Sequence, residues 1–316
     1  MKKIFFLVIL LFGSLAQAQT YPSKPITIII GSTPGSTSDG LARVVGVEIT
    51  KQTGQAVIVE SKAGAFGGIA AQYVANAKPD GYTLFVTTNT TQAANPHLIK
   101  KLTYDPIKDF TPITKLVQGY MLLVTNPAIK ANSVTELIEL AKKDPGKLTF
   151  GAGSSSARVA VELFKKMSGT EMTHIPYKSN PLAVIDLVGG QVDLMIVDLT
   201  TSLPQVKNEK LKALGVSSLS KSPLVPKLPT IAAAGVPDYE FSHWNALYGP
   251  AGMDAGIVKL INEIFQEAMK KPAVKKFVEE NGMEVSVSTS ASLAEFQNSE
   301  LKRWGQIIKE AGIQPE

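Results

Sequence analysis

Two loops rich in glycine and hydroxyl side chains contain the residue types best suited to bind an anion. Residues 31–39 read GSTPGSTSD and residues 151–158 read GAGSSSAR, so the loops begin 120 residues apart. Each loop follows a β-branched or apolar run and precedes a helical pattern, which points backbone N–H groups and the positive end of a helix dipole at one crevice. Small hydroxylated side chains add donors without blocking backbone approach. The pair predicts an anion held from both sides.

Polar residues at the carboxyl ends of two later strands belong to the same prediction, because ligands of open α/β sheets bind there. The candidate ligand-binding residues are Ser32, Thr33, Ser36, Thr37, Ser38, Asp39, Asn89, Thr90, Ser154, Ser155, Ser156, Arg158 and Asp198. Structural roles are open alternatives: Asp39 as a helix N-cap or hinge contact, the serines as caps, and Arg158 as a surface partner of Glu162. An acid at position 198 would repel a bare carboxylate, so Asp198 is expected to bind a hydroxyl, an amine or a bound water.

The same residues disfavour several classes of enzyme. The second loop has Ala157 where a nucleophile elbow needs a glycine, and Ser156 where a dinucleotide fingerprint needs one. A Gly-Lys-Ser/Thr phosphate loop is absent, and His97, His174 and His243 do not have metal-ligand spacing. We therefore predict a binding protein that is not an enzyme and needs neither cofactor nor metal. A periplasmic hydrolase is the remaining enzymatic alternative.

The N-terminus has the pattern of an export signal. Two lysines precede an apolar run that ends near Phe12, and Ala16-Gln17-Ala18 forms a cleavage site. The alternative is a membrane anchor, but the run is shorter than the roughly 20 residues needed to span a bilayer. We predict a cleaved signal peptide over residues 1–18 and a periplasmic location. The chain has no cysteine, which excludes disulfides and a lipidated cysteine anchor.

Composition limits the partners. The chain of 316 residues has 32 basic and 27 acidic residues and a formal net charge of +5. The basic residues are scattered and are not interleaved with aromatic ones, so a nucleic-acid partner is not expected. The length suffices for two domains with their own cores. We expect a monomer.

Short β-rich runs alternate with amphipathic helical patterns, which predicts an α/β protein with a mostly parallel sheet covered on both faces. The predicted strands are 26–30, 56–60, 82–88, 120–125, 147–150, 172–176, 192–197, 212–217 and 241–248. The predicted helices are 38–53, 69–76, 134–143, 159–168, 181–188 and most of 257–316. Ser133 and Glu136 form a capping box at the start of the third helix. The two anion-binding loops each lie between a strand and a helix.

The pattern restarts near residue 120, and an apolar, aromatic segment near 240–248 returns the chain to where it began. We therefore predict two lobes joined by two crossover strands. The first lobe comprises residues 19–122 and 246–316, and the second comprises residues 123–245.

Several segments resemble the extracytoplasmic solute receptors of tripartite tricarboxylate transporters, whose largest group is the Bordetella uptake-gene (Bug) receptors. The resemblance extends in order over nearly the whole chain after residue 18. The segments are 63–68 (AGAFGG), 79–84 (PDGYTL), 186–195 (DLVGGQVDLM), 212–218 (KALGVSS), 228–237 (LPTIAAAGVP) and 244–252 (WNALYGPAG).

This resemblance implies a type II periplasmic-binding (Venus flytrap) fold, whose lobes close on a small mono-, di- or tricarboxylate. It also implies delivery of that acid to the membrane permease subunits of such a transporter, and ligand contacts from residues 32–39 and 154–158. At both loops the chain departs from the commoner pattern, with Ser36 in place of a second glycine after Gly35 and Arg158 in place of a frequent histidine. Arginine has a planar fork that can bind a carboxylate bidentately.

A second interpretation has the same fold and site. The chain could serve as a ligand-sensing module that signals to a receptor kinase, without a transport role. The residues favour a polar acid but do not select among citrate-like, dicarboxylic, aromatic and amino-acid ligands.

Overall fold

The computed structural model describes residues 21–315, and the predicted signal peptide at residues 1–18 lies outside this range. The strands are β1 (Ile26–Ile30), β2 (Val57–Ser61), β3 (Thr83–Thr88), β4 (Phe110–Thr125), β5 (Thr149–Ala152), β6 (Thr173–Pro176), β7 (Leu194–Asp198), β8 (Lys212–Val216), β9 (Ser242–Pro250) and β10 (Met283–Val285). The helices are α1 (Thr37–Thr53), α2 (Gly68–Ala75), α3 (Asn95–Leu98), α4 (Val134–Lys143), α5 (Ser155–Ser168), α6 (Asn180–Val188), α7 (Leu199–Lys207), α8 (Ala255–Met269), α9 (Pro272–Glu280) and α10 (Ser290–Glu310). Within residues 21–315, every helix is too short or too polar to cross a bilayer.

The strands form a sheet in the order β2-β1-β3-β9-β4-β7-β5-β6, and β8 and β10 also pair with β4. The predicted α/β class is confirmed. β1 runs parallel to β2 and β3, and β5 runs parallel to β6 and β7, whereas β4 and β9 are antiparallel to their neighbours. The inner strands β1, β3 and β7 are largely buried, as expected for parallel strands with helices on both faces.

Strand β4 connects the two parts of the sheet. Its residues 110–120 pair with β9, and its residues 121–125 pair with β7 and β8. We call the strands joined to 110–120 (β1, β2, β3, β9, β10) the first half-sheet, and those joined to 121–125 (β5 to β8) the second half-sheet. The start predicted for this strand, residue 120, was wrong because β4 begins ten residues earlier, at Phe110. Pro112 and the polar residues of 111–119 conceal the strand in the sequence, and pairing with β9 enforces it.

Serines begin the two helices that follow the glycine-rich loops. Ser36 is extended and its side chain accepts a hydrogen bond from Asp39 N, so Ser36 is the N-cap of α1 and Asp39 lies in the first turn. Ser154 accepts from Ala157 N and caps α5, which therefore begins four residues before the predicted start at Val159. Each cap leaves the N–H groups of one helical turn directed toward the region between the loops.

A buried carboxylate fixes the C-terminal helix to the first half-sheet. Trp244 on β9 donates from Nε1 to Glu300 Oε2 at 2.8 Å, and Trp304 of α10 donates to the same oxygen at 3.1 Å. Glu300 is 5% exposed, so its charge depends on these partners and on Arg303 Nη1 at 3.3 Å. Residues 290–310 thus pack against the part of the molecule in which the chain begins.

Candidate ligand-binding site

A cavity of about 90 Å³ lies between the two glycine-rich loops, at the junction of the half-sheets. Hydroxyl and amide side chains make up most of its polar lining. The lining residues are Gly31, Ser32, Ser36, Thr37, Ser38, Phe66, Gly67, Val86, Thr87, Thr88, Asn89, Thr90, Thr91, Met121, Gly153, Ser154, Ser156, Asn180, Asp198, His243 and Asn245. This volume suits a small polar molecule rather than a drug-sized one.

The structure brings most of the sequence-predicted residues together at this cavity. Nine of them line it: Ser32, Ser36, Thr37, Ser38, Asn89, Thr90, Ser154, Ser156 and Asp198. Four lie outside its lining: Thr33, Asp39, Ser155 and Arg158. Contact with a ligand stays a prediction for every member of both groups.

Two hydrogen bonds join the first loop to the second half-sheet. Thr37 donates from Oγ1 to Asp198 Oδ1 at 2.9 Å, and the Thr33 and Ser179 hydroxyls lie 2.6 Å apart. Both bonds connect elements on opposite sides of the cavity. The first loop therefore contacts the end of β7 and the residue before α6 directly at these two points.

The start of α5 makes a second set of contacts across the cavity. Ser156 Oγ donates to Asn89 Oδ1 at 3.1 Å and lies 3.0 Å from Thr90 Oγ1. Ser155 Oγ donates to Asn95 Oδ1 at 2.6 Å and is fully buried. Ser155 thus joins α5 to α3 from outside the cavity, while Ser156 joins α5 to the residues that follow β3 at the cavity wall.

Asp39 and Arg158 are the two charged residues among the predicted ones that lie outside the cavity lining. The Asp39 carboxylate accepts hydrogen bonds from Gly35 N at 3.0 Å and from Arg43 Nε at 2.8 Å, which shapes the turn of the first loop. Arg158 is the fourth residue of α5 and is partly exposed. A cation near a helix N-terminus is opposed by the helix dipole.

Asp198 ends β7 and caps α7. Its Oδ1 accepts hydrogen bonds from Thr201 N at 3.0 Å, from Thr201 Oγ1 at 2.9 Å and from Thr37. Its Oδ2 accepts a long hydrogen bond of 3.3 Å from Asn180 Nδ2. Because a carboxylate has about four lone-pair sites, Oδ2 keeps capacity for a further donor.

His243 lies on β9 beside Asp198 and lines the cavity while being only 6% exposed. Its ring packs over Gly119, where a Cβ atom would stand 2.9 Å from His243 Nε2. Burial lowers the pKa of His243, and the nearby Asp198 charge and the Tyr120 backbone oppose this shift without cancelling it. The surroundings of the imidazole therefore favour its neutral form.

Close backbone approach requires glycine on both sides of the cavity. A Cβ at Gly153 would stand 1.9 Å from the Ser179 carbonyl carbon, and one at Gly31 would stand 2.8 Å from Gly67 Cα. Both distances are shorter than any real contact. The glycines of the two loops thus let neighbouring backbone segments meet at the cavity wall.

The sequence argument did not select several lining residues. Asn180 reaches the cavity as the first residue of α6. His243 and Asn245 reach it through the register of β9, which only the three-dimensional pairing specifies. Phe66 has a φ of +50°, in a backbone region that residues other than glycine rarely occupy. Its position in AGAFGG, a glycine-rich turn between a strand and a helix, was the available signal.

The charges of the lining determine what it can bind. Among the described residues of the cavity wall, none is a lysine or an arginine, and Asp198 is the one acid. Hydroxyl groups, amides and the helix N-termini of α1 and α5 supply donors for an anion. Within residues 21–315, we find no cluster of three or more His, Cys, Asp or Glu side chains suited to a metal ion.

Residues 41–313 match the family described as "tripartite tricarboxylate transporter family receptor". Protein BugT of Bordetella pertussis is 33% identical over 299 residues, which cover 94% of this chain and 92% of BugT. Among solved structures, Rpa4515 of R. palustris with adipate has a TM-score of 0.91 and 32% identity, over 94% of this chain and all of that one. MatC of Rhodopseudomonas palustris with bound malate has a TM-score of 0.86 and 27% identity, over 91% of this chain and all of that one.

Proposed function

Since this chain belongs to the receptor family of the tripartite tricarboxylate transporters, we propose that it binds a small organic carboxylate between two lobes and delivers it to a membrane permease. It has the two-lobed α/β fold of type II periplasmic binding proteins. The proposed activity is binding without chemical conversion of the ligand.

The cavity between the glycine-rich loops is the observation that supports this proposal most strongly. The N-termini of α1 and α5 converge there, beside hydroxyl donors such as Ser38 and Ser154. Hydrogen bonds to a charged acceptor contribute about 1.5–3 kcal/mol each, so a few of them suffice for micromolar affinity. The adipate and malate of the two solved relatives are carboxylates, which agrees with such a site.

The lobes we propose are residues 19–122 with 246–316, and residues 123–245. The register of β4 supports a crossing between residues 120 and 121. Residues 242–245 pair with residues 117–120 of β4, and residues 245–248 pair with β3. This pairing supports a second crossing in the segment that precedes Ser242, a few residues before the proposed boundary. Ligand binding would favour closure because a ligand that touches both loops has more contacts in the closed state.

We also propose a periplasmic location with a cleaved signal at residues 1–18. The related BugD is described as a periplasmic binding protein, with 28% identity and a TM-score of 0.89. The apolar N-terminal run and the absence of cysteine support export without a lipid anchor. Sequencing the N-terminus of the protein recovered from a periplasmic extract would test this; a start near Gln19 is expected.

A thermal-shift screen tests the binding proposal. The protein is freed of bound ligand by unfolding and refolding, then mixed with carboxylic acids and with the amide of each acid. A ligand at about 100 times its Kd adds about 2.7 kcal/mol, which raises Tm by several degrees. We expect shifts with acids and none with amides. Equal shifts with both, or none with any acid, would contradict an anion site.

The transport proposal has its own test. A strain that lacks the gene should lose uptake of the acid identified in the screen, and the gene supplied in trans should restore uptake. Unchanged uptake, together with a lost transcriptional response to the acid, would instead favour a sensing role.

A further inference from the structure

The cavity wall has a negative charge, whereas a site for a dicarboxylate without a cationic group would need a positive one. Asp198 is 7% exposed and supplies a negative charge to the wall, and the described lining has no lysine or arginine to balance it. Burial lowers the pKa of the adjacent His243, which favours its neutral form. A second negative charge a few ångströms from Asp198 is repelled, since a buried site screens charges poorly.

Two hydrogen-bond acceptors of the cavity wall have capacity for a donor. Asp198 Oδ2 accepts a long hydrogen bond from Asn180. Asn245 is fully buried and lines the same cavity; its Nδ2 donates to Ser38 Oγ at 2.8 Å, and its Oδ1 has no hydrogen-bond partner among the described residues. Buried acceptors are costly to leave unpaired, so a donor from the ligand belongs here.

From these acceptors, and resting on the proposed function, we propose that the ligand is a small α-amino acid. Its carboxylate binds at the N-termini of α1 and α5, and its ammonium group binds at Asp198 and Asn245. The zwitterion then places a positive charge beside the acid and a negative charge at the helix dipoles, so that each end of the ligand is balanced.

The decisive comparison uses acids that differ only at C2. L-Aspartate, L-malate and succinate share one skeleton and have an ammonium, a hydroxyl and a hydrogen at that carbon. Alanine, lactate and propionate form a smaller series, and glutamate, 2-hydroxyglutarate and glutarate a larger one. Calorimetry on the refolded wild-type protein should show that the amino acid of the best-binding series is at least about tenfold tighter than its two analogues.

The variant Asp198→Asn tests whether the Asp198 carboxylate binds the ammonium group of the ligand. Asparagine caps helices as well as aspartate does, so α7 keeps its start. We expect the variant to lose about tenfold or more in affinity for the amino acid, and to bind the deaminated analogue as tightly as the wild type or tighter. The matched control is Asp254→Asn, which changes the N-cap of α8, where Asp254 accepts from Gly256 N at 2.8 Å, outside the cavity lining.

The outcomes separate this inference from the proposed function. If a hydroxy acid or an unsubstituted acid binds as tightly as its amino acid, the inference is wrong and carboxylate binding stands. If no acid in any series binds, both are wrong. If Asp198→Asn fails to fold, the comparison of the ligand series on the wild-type protein still tests the inference.

Discussion

The Thr37 hydroxyl donates to Asp198 Oδ1 at 2.9 Å, which joins two residues 161 positions apart in the chain and on opposite sides of the cavity. Both residues also begin helices: Thr37 is the first residue of α1, and Asp198 is the N-cap of α7. The bond therefore connects the start of a helix in one half of the molecule to the start of a helix in the other.

We predict that Thr37→Val shifts the protein toward an open form. The substitution keeps the shape of the side chain and removes its donor to a charged acceptor, which costs about 1.5 kcal/mol in the closed state. Ligand affinity should fall roughly tenfold in calorimetry. Small-angle scattering of the ligand-free variant should give a larger radius of gyration. Thr37→Ser keeps the hydroxyl and should behave as the wild type; wild-type affinity and radius in Thr37→Val would contradict the role of this bond.

Gly153→Ala should destabilise the second loop and abolish binding. Its Cβ would lie 1.9 Å from the Ser179 carbonyl carbon, so either the loop or residues 179–180 must move. Overpacking of this kind costs about 1–3 kcal/mol or more, which lowers Tm by several degrees. The control is Gly189→Ala, since Gly189 has a φ of −74° and the nearest atom to its Cβ would be 3.5 Å away. Equal melting temperatures for the two variants would disprove the packing argument.

Acid should destabilise the protein through His243. Burial holds the pKa of this imidazole below its ordinary value of 6.5, so the unfolded chain takes up a proton at a higher pH than the folded one. The free energy of unfolding then falls as the pH is lowered below about 6.5, toward the folded-state pKa. Thermal melts at several pH values should show a shallower acid limb for His243→Gln than for the wild type. Parallel curves would assign the acid sensitivity to other groups.

Arg158→Ala distinguishes ligand contact from a supporting role. The residue does not line the closed cavity, and we therefore expect a loss of affinity below about threefold. Direct pairing with a ligand carboxylate, as the sequence predicts, would cost about 1.5–3 kcal/mol, or roughly tenfold to 150-fold. Calorimetry with the tightest acid of the screen separates the two ranges, and Arg158→Lys shows whether the planar fork is needed.

Local sequence rules predicted much of the fold correctly. The alternation of strands and helices is confirmed, and so is the Ser133 cap of α4, with Glu136 N donating to Ser133 Oγ at 3.1 Å. The predicted capping box forms only in part, because the Glu136 carboxylate accepts from Asn132 N and not from Ser133 N. The same rules missed α7, because Thr200, Thr201 and Ser202 weaken its helical pattern and Pro204 lies inside it. They also placed the start of α5 too late, since three serines and an alanine have no apolar periodicity.

The cavity was predictable only in part. Glycine, serine and helix-start patterns pointed to the residues of the two loops, because those patterns are contiguous in sequence. Asn245 and His243 gave no such signal. Each lies in an apolar strand, and each reaches the cavity wall only because β9 pairs with β4.

The chain order of the sheet has a consequence for how the protein folds. The strands of the second half-sheet, with their partner residues 121–125, all occur before residue 217 in one uninterrupted stretch. By contrast, β3 pairs with residues 245–248 of β9, which are synthesised about 160 residues later. The hydrogen bond from Trp244 to Glu300 also forms only after α10 has been made. A chain released from its N-terminus can therefore complete its middle while its beginning still lacks a neighbour. Truncation of α10 should accordingly leave the second half-sheet folded and expose the apolar face of the first half-sheet to solvent. Completion of the fold would then depend on the residues of α10.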